Sequence, residues 1–145
     1  MLCGGNDTKV TFASGYKKNY TPVTTQRPLM EKIVQELKSR APNAQIVLVT
    51  PLDSYLPYQL SLTEAMAAKK LNHNLFGLPE PIAQYSEKLR LTAKKFNTEF
   101  LDAGSVFRAA ADPQVLNVED DGVHLSLKGH QLMAEIVLKK LSEMK

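Results

Sequence analysis

Asp121 and His124 are the two side chains whose types and spacing can do chemistry together, in the run Asp120-Asp121-Gly122-Val123-His124-Leu125-Ser126. Gly122 lets the backbone turn sharply between them, because glycine takes positive φ without steric cost. A carboxylate folded back on the imidazole Nδ1–H fixes the tautomer and stabilises the imidazolium formed when Nε2 takes a proton. That is the general-base half of a nucleophilic triad. The competing reading is a solvated turn whose acid and histidine merely border a helix, since Asp-x-x-His is common by chance. A metal site could be written from Asp120, Asp121, His124 and His130, but no Cys or Glu cluster supports it. Neither a metal nor another cofactor is expected.

The elements that would hold this pair follow from the apolar pattern. Ser126 is placed to cap a final helix running to about Met144. Leu132, Ile136, Val137 and Leu141 would face inward on it, with Lys139, Lys140 and Lys145 at its negative end. At the other terminus, Met1-Leu2-Cys3 reads as the tail of a buried strand, and Gly4-Gly5-Asn6-Asp7 as the loop leaving it. Thr8–Gln26 is polar and without steady period, and reads as a loop with room for a helical turn. Pro28 then opens a helix to Arg40, with Leu29, Ile33 and Leu37 beside Met30 and Val34 as its apolar stripe. Gln45–Thr50 is a β-branched run of the kind buried on both faces of a parallel sheet. Its C-terminal end would aim the loop Pro51–Leu60 at any site.

Further on, Thr63–Leu71 suits a short helix and Asn72–Pro81 a loop, with His73 exposed in it. A helix from about Pro81 to Asn97 carries Ile82, Tyr85, Leu89, Ala93 and Phe96 on one face. Phe100-Leu101 is a short strand ending in Asp102-Ala103-Gly104, and Arg108–Glu119 is a loop leading to the Asp121 turn. Alternating strands and helices in this order specify an α/β sheet with right-handed crossovers.

The 145 residues fit one domain, 1–145, and the apolar content of 43% with 23% charged residues is ordinary for a soluble protein. The net charge of +3 comes with mixed signs, and pairs such as Lys69-Lys70 and Lys94-Lys95 suit solvated faces. Nucleic acid is not an expected partner, because no basic stripe carries interleaved aromatics. No run approaches the length of a membrane span. The single cysteine, Cys3, excludes an internal disulfide and leans toward a reducing, cytoplasmic setting.

Gly4-x-Asn6-Asp7 after a strand, and Asp121-x-x-His124 before the last helix, together resemble the third and fifth conserved blocks of the SGNH (GDSL-type) ester hydrolases. Asn6-Asp7-Thr8-Lys9 followed by Phe12, and Leu101-Asp102-Ala103-Gly104-Ser105-Val106, are most similar to the arylesterase/acyltransferase branch. The resemblance implies a three-layer α/β/α, flavodoxin-like fold with about three parallel strands here. It implies Asn6 as an oxyanion-hole donor supported by the loop Gly4, Gly5 and Asp7, His124 as general base and Asp121 as its orienting partner. A small acyl ester or thioester would be the substrate, and Thr8, Phe12, Pro51 and Leu52 the pocket candidates.

The family's Gly-Asp-Ser block, with the nucleophile, and its second block, with a glycine oxyanion donor, have no counterpart among these residues. Eight serines are present (Ser14, Ser39, Ser54, Ser61, Ser86, Ser105, Ser126, Ser142), and none follows Gly-Asp. The expectation is therefore an N-terminally truncated hydrolase domain, inactive alone, with an exposed sheet edge open to self-association or a partner chain. The alternatives are a non-catalytic binding or regulatory module on the same scaffold, or a half-enzyme completed by another chain.

Overall fold

The computed structural model describes residues 10–12, 18–19, 23–69 and 73–144. Its organising pair is two parallel strands, β3 (Val47–Val49) and β5 (Glu99–Leu101), with Val47 opposite Glu99, Leu48 opposite Phe100 and Val49 opposite Leu101. Two short strands come earlier in the chain, β1 (Val10–Phe12) and β2 (Lys18–Asn19). The parallel ladder runs past its strands, since Glu99 N–H donates to Ile46 and Thr50 N–H to Leu101, at 2.9 and 3.0 Å. Leu48 and Val49 are both buried, as a strand covered on two faces requires. The third parallel strand expected from Met1-Leu2-Cys3 lies outside the described residues.

Helices α1 (Val23–Arg40) and α3 (Pro79–Phe96) pack together over this pair. Met30 and Val34 from α1 meet Tyr85, Leu89 and Ala93 from α3 on Leu48, with Ile46, Phe96 and Phe100 at the margin. The expected strand 45–50 and the 81–97 helix are both seen, the helix opening one proline earlier at Pro79. The remaining helices are α2 (Leu56–Ala68), α4 (Ala103–Arg108) and α5 (Leu127–Glu143). Helix α5 ties its C-terminal end to the start of β5 through a Lys140–Glu99 ion pair, and Gln45 Nε2 donates to the Met144 carbonyl at 3.1 Å.

Four sequence expectations are corrected here. Thr8–Gln26 is not simply a loop, because β1, β2 and the start of α1 fall within it. Residues 23–27 carry no apolar stripe, and Pro28, which has no N–H to donate, is in the second turn of α1 rather than at its start. The loop Pro51–Leu60 ends at Tyr55, where α2 begins with Pro57 as its second residue, a position that tolerates proline. Asn72–Pro81 contains β4 (His73–Leu75), which pairs antiparallel with β1 in the sheet β2-β1-β4. A three-residue strand has no readable period, so only its partner reveals it.

The apolar stripes also divide differently. On α1, Met30 and Val34 are buried while Leu29, Ile33 and Leu37 are exposed along one flank. On α5, Leu132, Ile136 and Val137 are half-buried, but Leu141 is 51% exposed and shares an outward face with Leu127 and Leu138. This helix is apolar on two sides, and sequence period alone cannot say which one packs.

Candidate active site

The loop carrying Asp121 and His124 is closed at its base and anchored at three points. Residues Asn117 and Leu125 form an antiparallel bridge, Val118 N–H donates to His124 O at 2.9 Å, and Asn117 Nδ2 donates to Val123 O at 3.2 Å. Beyond the bridge, Ser126 caps α5 as expected, its Oγ accepting from Gly129 N–H at 3.2 Å and donating to Val115 O. Gly129 lets α5 lie directly on the single turn of 3-10 helix Pro113–Leu116, for a Cβ there would fall 2.1 Å from the Leu116 carbonyl.

Within the loop the sequence pairing holds in atomic detail. The Asp121 carboxylate accepts from Val123 N–H at 2.7 Å and His124 N–H at 2.9 Å through Oδ1, and its Oδ2 meets His124 Nδ1 at 2.5 Å. Burial works against ionisation of Asp121. The hydrogen bonds from the His124 ring and the two backbone N–H groups, with the ring's charge, outweigh it and hold the carboxyl below its ordinary value. The imidazole itself is 81% exposed, so the carboxylate is braced while the ring is open to solvent. The carboxylate engages Nδ1 and not Nε2.

The pair borders a cavity of about 440 Å³, whose apolar wall is Leu52, Leu62, Phe76 and Val123. That volume lies toward the small end of the roughly 300–1,000 Å³ usual for small-molecule sites. The polar side chains lining it include Ser54 and Gln59. Ser54 Oγ donates to the Phe76 carbonyl. Gln59 Nε2 donates to the Asp121 carbonyl, and Gln59 Oε1 accepts from Phe76 N–H at 3.1 Å.

A second carboxylate cluster lies where β5 gives way to α4. Asp102 accepts from Ser105 N–H at 3.0 Å, from Ser105 Oγ, and from Thr50 Oγ1 at 3.3 Å, while Arg108 bridges Asp53 and Ser105. Desolvation opposes ionisation of Asp102 too, and the Ser105 and Thr50 hydrogen bonds with the Arg108 charge overcome it, so its carboxyl is also held low. This network fastens the loop after β3 to α4.

Of the residues singled out from sequence, the structure brings together Asp121, His124 and Leu52 around one cavity. Pro51 is buried and does not line the cavity. Phe12 lies in β1, paired with His73. Gly4, Gly5, Asn6, Asp7 and Thr8 lie outside the described residues. Among the described residues no three His, Cys, Asp or Glu side chains are grouped to hold a metal, and no helix is long and apolar enough to cross a membrane. Sequence reasoning missed Gln59, Leu62 and Phe76. Pro57 was the available signal for the first two, since a helix opened there turns them toward the site.

The profile of the GDSL-like lipase/acylhydrolase family matches residues 1–132. The chain belongs to this family. Its α/β architecture is that of solved GDSL-type hydrolases. A lipase/acylhydrolase from Enterococcus faecalis superposes with a TM-score of 0.68 at 15% identity, over 99% of this chain and 60% of that one. An inferred GDSL-like lipase from Parabacteroides merdae gives 0.63 at 26% identity, over 86% and 50%. The esterase domain of the ORF1 protein of a zebrafish retrotransposon, ZfL2-1, gives 0.58 at 16%, over 83% and 60%. The GDSL-type chain thus spans 50 to 60% of the length of these structures. No curated protein matches it in sequence.

Proposed function

We propose that this chain carries the base half of an ester-hydrolase site, with His124 as general base and acid and Asp121 as its orienting carboxylate. The observation that carries the reading is the 2.5 Å contact between Asp121 Oδ2 and His124 Nδ1 beside an apolar cavity. In the reaction, His124 Nε2 takes the proton of an attacking hydroxyl and later gives it to the departing alcohol or thiol. Asn6 would add an amide donor toward the oxygen that becomes negative, a role worth roughly 10²–10³ in rate. The apolar cavity wall supports a small acyl ester or thioester as the substrate.

The nucleophile is the piece these 145 residues do not supply, since no serine follows Gly-Asp. Ser54 is the described serine that lines the cavity, yet its hydroxyl proton goes to the Phe76 carbonyl and not to His124. The reading is therefore a site completed by a Gly-Asp-Ser segment from outside these residues. Without it, a triad retains only what the oxyanion hole and binding provide, about 10³–10⁴ over water in an intact site.

The test is hydrolysis of a small activated aryl acetate by the chain, alone and mixed with a chain carrying the Gly-Asp-Ser segment, each beside His124→Ala. Background rates alone and a His124-dependent rate in the mixture are expected. A mixture that stays at background while a folded complex forms would remove the reading.

A further inference from the structure

Gln59 is a buried polar side chain that the acid–base pair does not by itself require. It sits in the first turn of α2 with 2% of its surface exposed. Its Nε2 donates to the carbonyl of Asp121 and its Oε1 accepts from Phe76 N–H, so both halves of one amide are used on main-chain groups of two loops that line the cavity. A buried amide is tolerated only when both halves are bonded. This one joins the catalytic loop to the opposite wall.

The peptide it grips is one that needs holding. The Asp121 carbonyl belongs to the unit that precedes Gly122, whose φ is +65°, and a peptide beside a glycine turns with few steric barriers. Gly122 N–H donates to the Val118 carbonyl at 2.8 Å, which fixes one end of that unit. Gln59 fixes the other. Next to it, Tyr55 N–H donates to the Gly122 carbonyl at 2.7 Å, seating the turn on the entry to α2. A rotation of the Asp121–Gly122 peptide would carry the Val123 and His124 N–H groups off the Asp121 carboxylate, and these two bonds aim its second oxygen at the ring.

We propose that Gln59 is a positioning residue for the pair: its amide locks the Asp121–Gly122 peptide and thereby keeps the Asp121 carboxylate on His124 Nδ1. The inference rests on the reading of Asp121 and His124 as acid and base, and Gln59 acts through Asp121 without touching the reacting atoms.

The test uses the full chain and needs no turnover. Long-range proton–nitrogen spectra of the histidine rings, assigned with His124→Ala and taken at alkaline pH, report which nitrogen of His124 carries the proton. Gln59→Met keeps length and volume but makes neither bond. Gln59→Glu keeps the acceptor for Phe76 N–H and removes the donor to Asp121. Leu89→Ala, in the core away from the loop, controls for lost stability. A single Nδ1–H form is expected in the wild-type chain and in Leu89→Ala, and a mixture of the two forms in both Gln59 variants. Retention of the single form in either Gln59 variant would overturn the proposal, as would its loss in Leu89→Ala. A wild-type chain lacking the Nδ1–H form would remove the acid–base reading itself, and the inference with it.

Discussion

Asp102 and Asp121 begin from the same local geometry and end in different roles. Each accepts the backbone N–H of the residue three further on, Ser105 for one and His124 for the other, and each carboxyl is held below its ordinary value. Asp102 uses its remaining capacity on the hydroxyls of Ser105 and Thr50, next to an Arg108 that is itself tied to Asp53. Asp121 uses its own on an exposed imidazole at a cavity. A depressed carboxyl is thus no mark of function by itself. What separates the two is the partner: hydroxyls and a guanidinium keep their protons through the physiological range, whereas an imidazole exchanges one.

The largest expected difference is in rate. With a Gly-Asp-Ser segment supplied, Asp121→Asn should lower ester hydrolysis by about 10⁴-fold, as expected when the base is left in the wrong tautomer. Asp102→Asn should leave the rate within a few-fold, and parallel initial-rate assays on an aryl acetate compare the two. Equal losses would mean that the two clusters do not divide as described.

Next comes stability at the glycines of the two clusters. At Gly122 an added Cβ would stand 2.8 Å from the Tyr55 carbonyl and 2.9 Å from Tyr58 Cβ, with φ at +65°. At Gly104 the nearest atom is the Pro51 carbonyl at 3.1 Å, with ordinary helical backbone. Gly122→Ala should cost about 1–3 kcal/mol from backbone strain alone, while Gly104→Ala, gaining helix propensity, should stay within about 1 kcal/mol of wild type. Urea unfolding measures both.

Asp102→Ala removes the side-chain cap of α4 and should cost about 1–2 kcal/mol, which a thermal melt would show as a lowered Tm. Both aspartates should also shape acid stability. Their folded-state values lie below the unfolded carboxyl at roughly pH 3.9, so the unfolded chain binds more protons there and stability rises with pH. Their contribution is fully present above that value and lost as pH falls through the folded ones. Urea midpoints between about pH 2 and 6 should therefore drop less steeply in Asp102→Asn and in Asp121→Asn than in wild type. Smallest of all, Ser54→Ala should leave hydrolysis by the completed site unchanged, and a loss to the level of His124→Ala would identify Ser54 as the nucleophile.

The same contrast explains what could be read from sequence. Asp121, His124 and the Ser126 cap are legible because their partners lie within three residues, and turn chemistry is written locally. The strand at 47–49 is legible because burial on both faces leaves an unbroken apolar run rich in β-branched residues. Gln59 and Phe76 are not, since one amide joins backbone groups far apart in the chain and nothing in Gln59's neighbours announces that it is buried. Leu141 was misplaced for a different reason: α5 carries apolar residues on two faces, and only the packed 3-10 turn under Gly129 decides which one is inside. Asn6 and its glycines remain readable through the family resemblance.

The bridge between Asn117 and Leu125 closes the loop that carries Asp121 and His124. Because Asp121 and His124 sit inside one short ring of chain, bringing them together involves almost no long-range search. Chain closure brings the two side chains near each other, and the contacts from α2 then fix how they face. On the proposed reading, the nucleophile and the oxyanion donors, Asn6 among them, are the parts that have to come from elsewhere in sequence, while the Asp121–His124 pair does not.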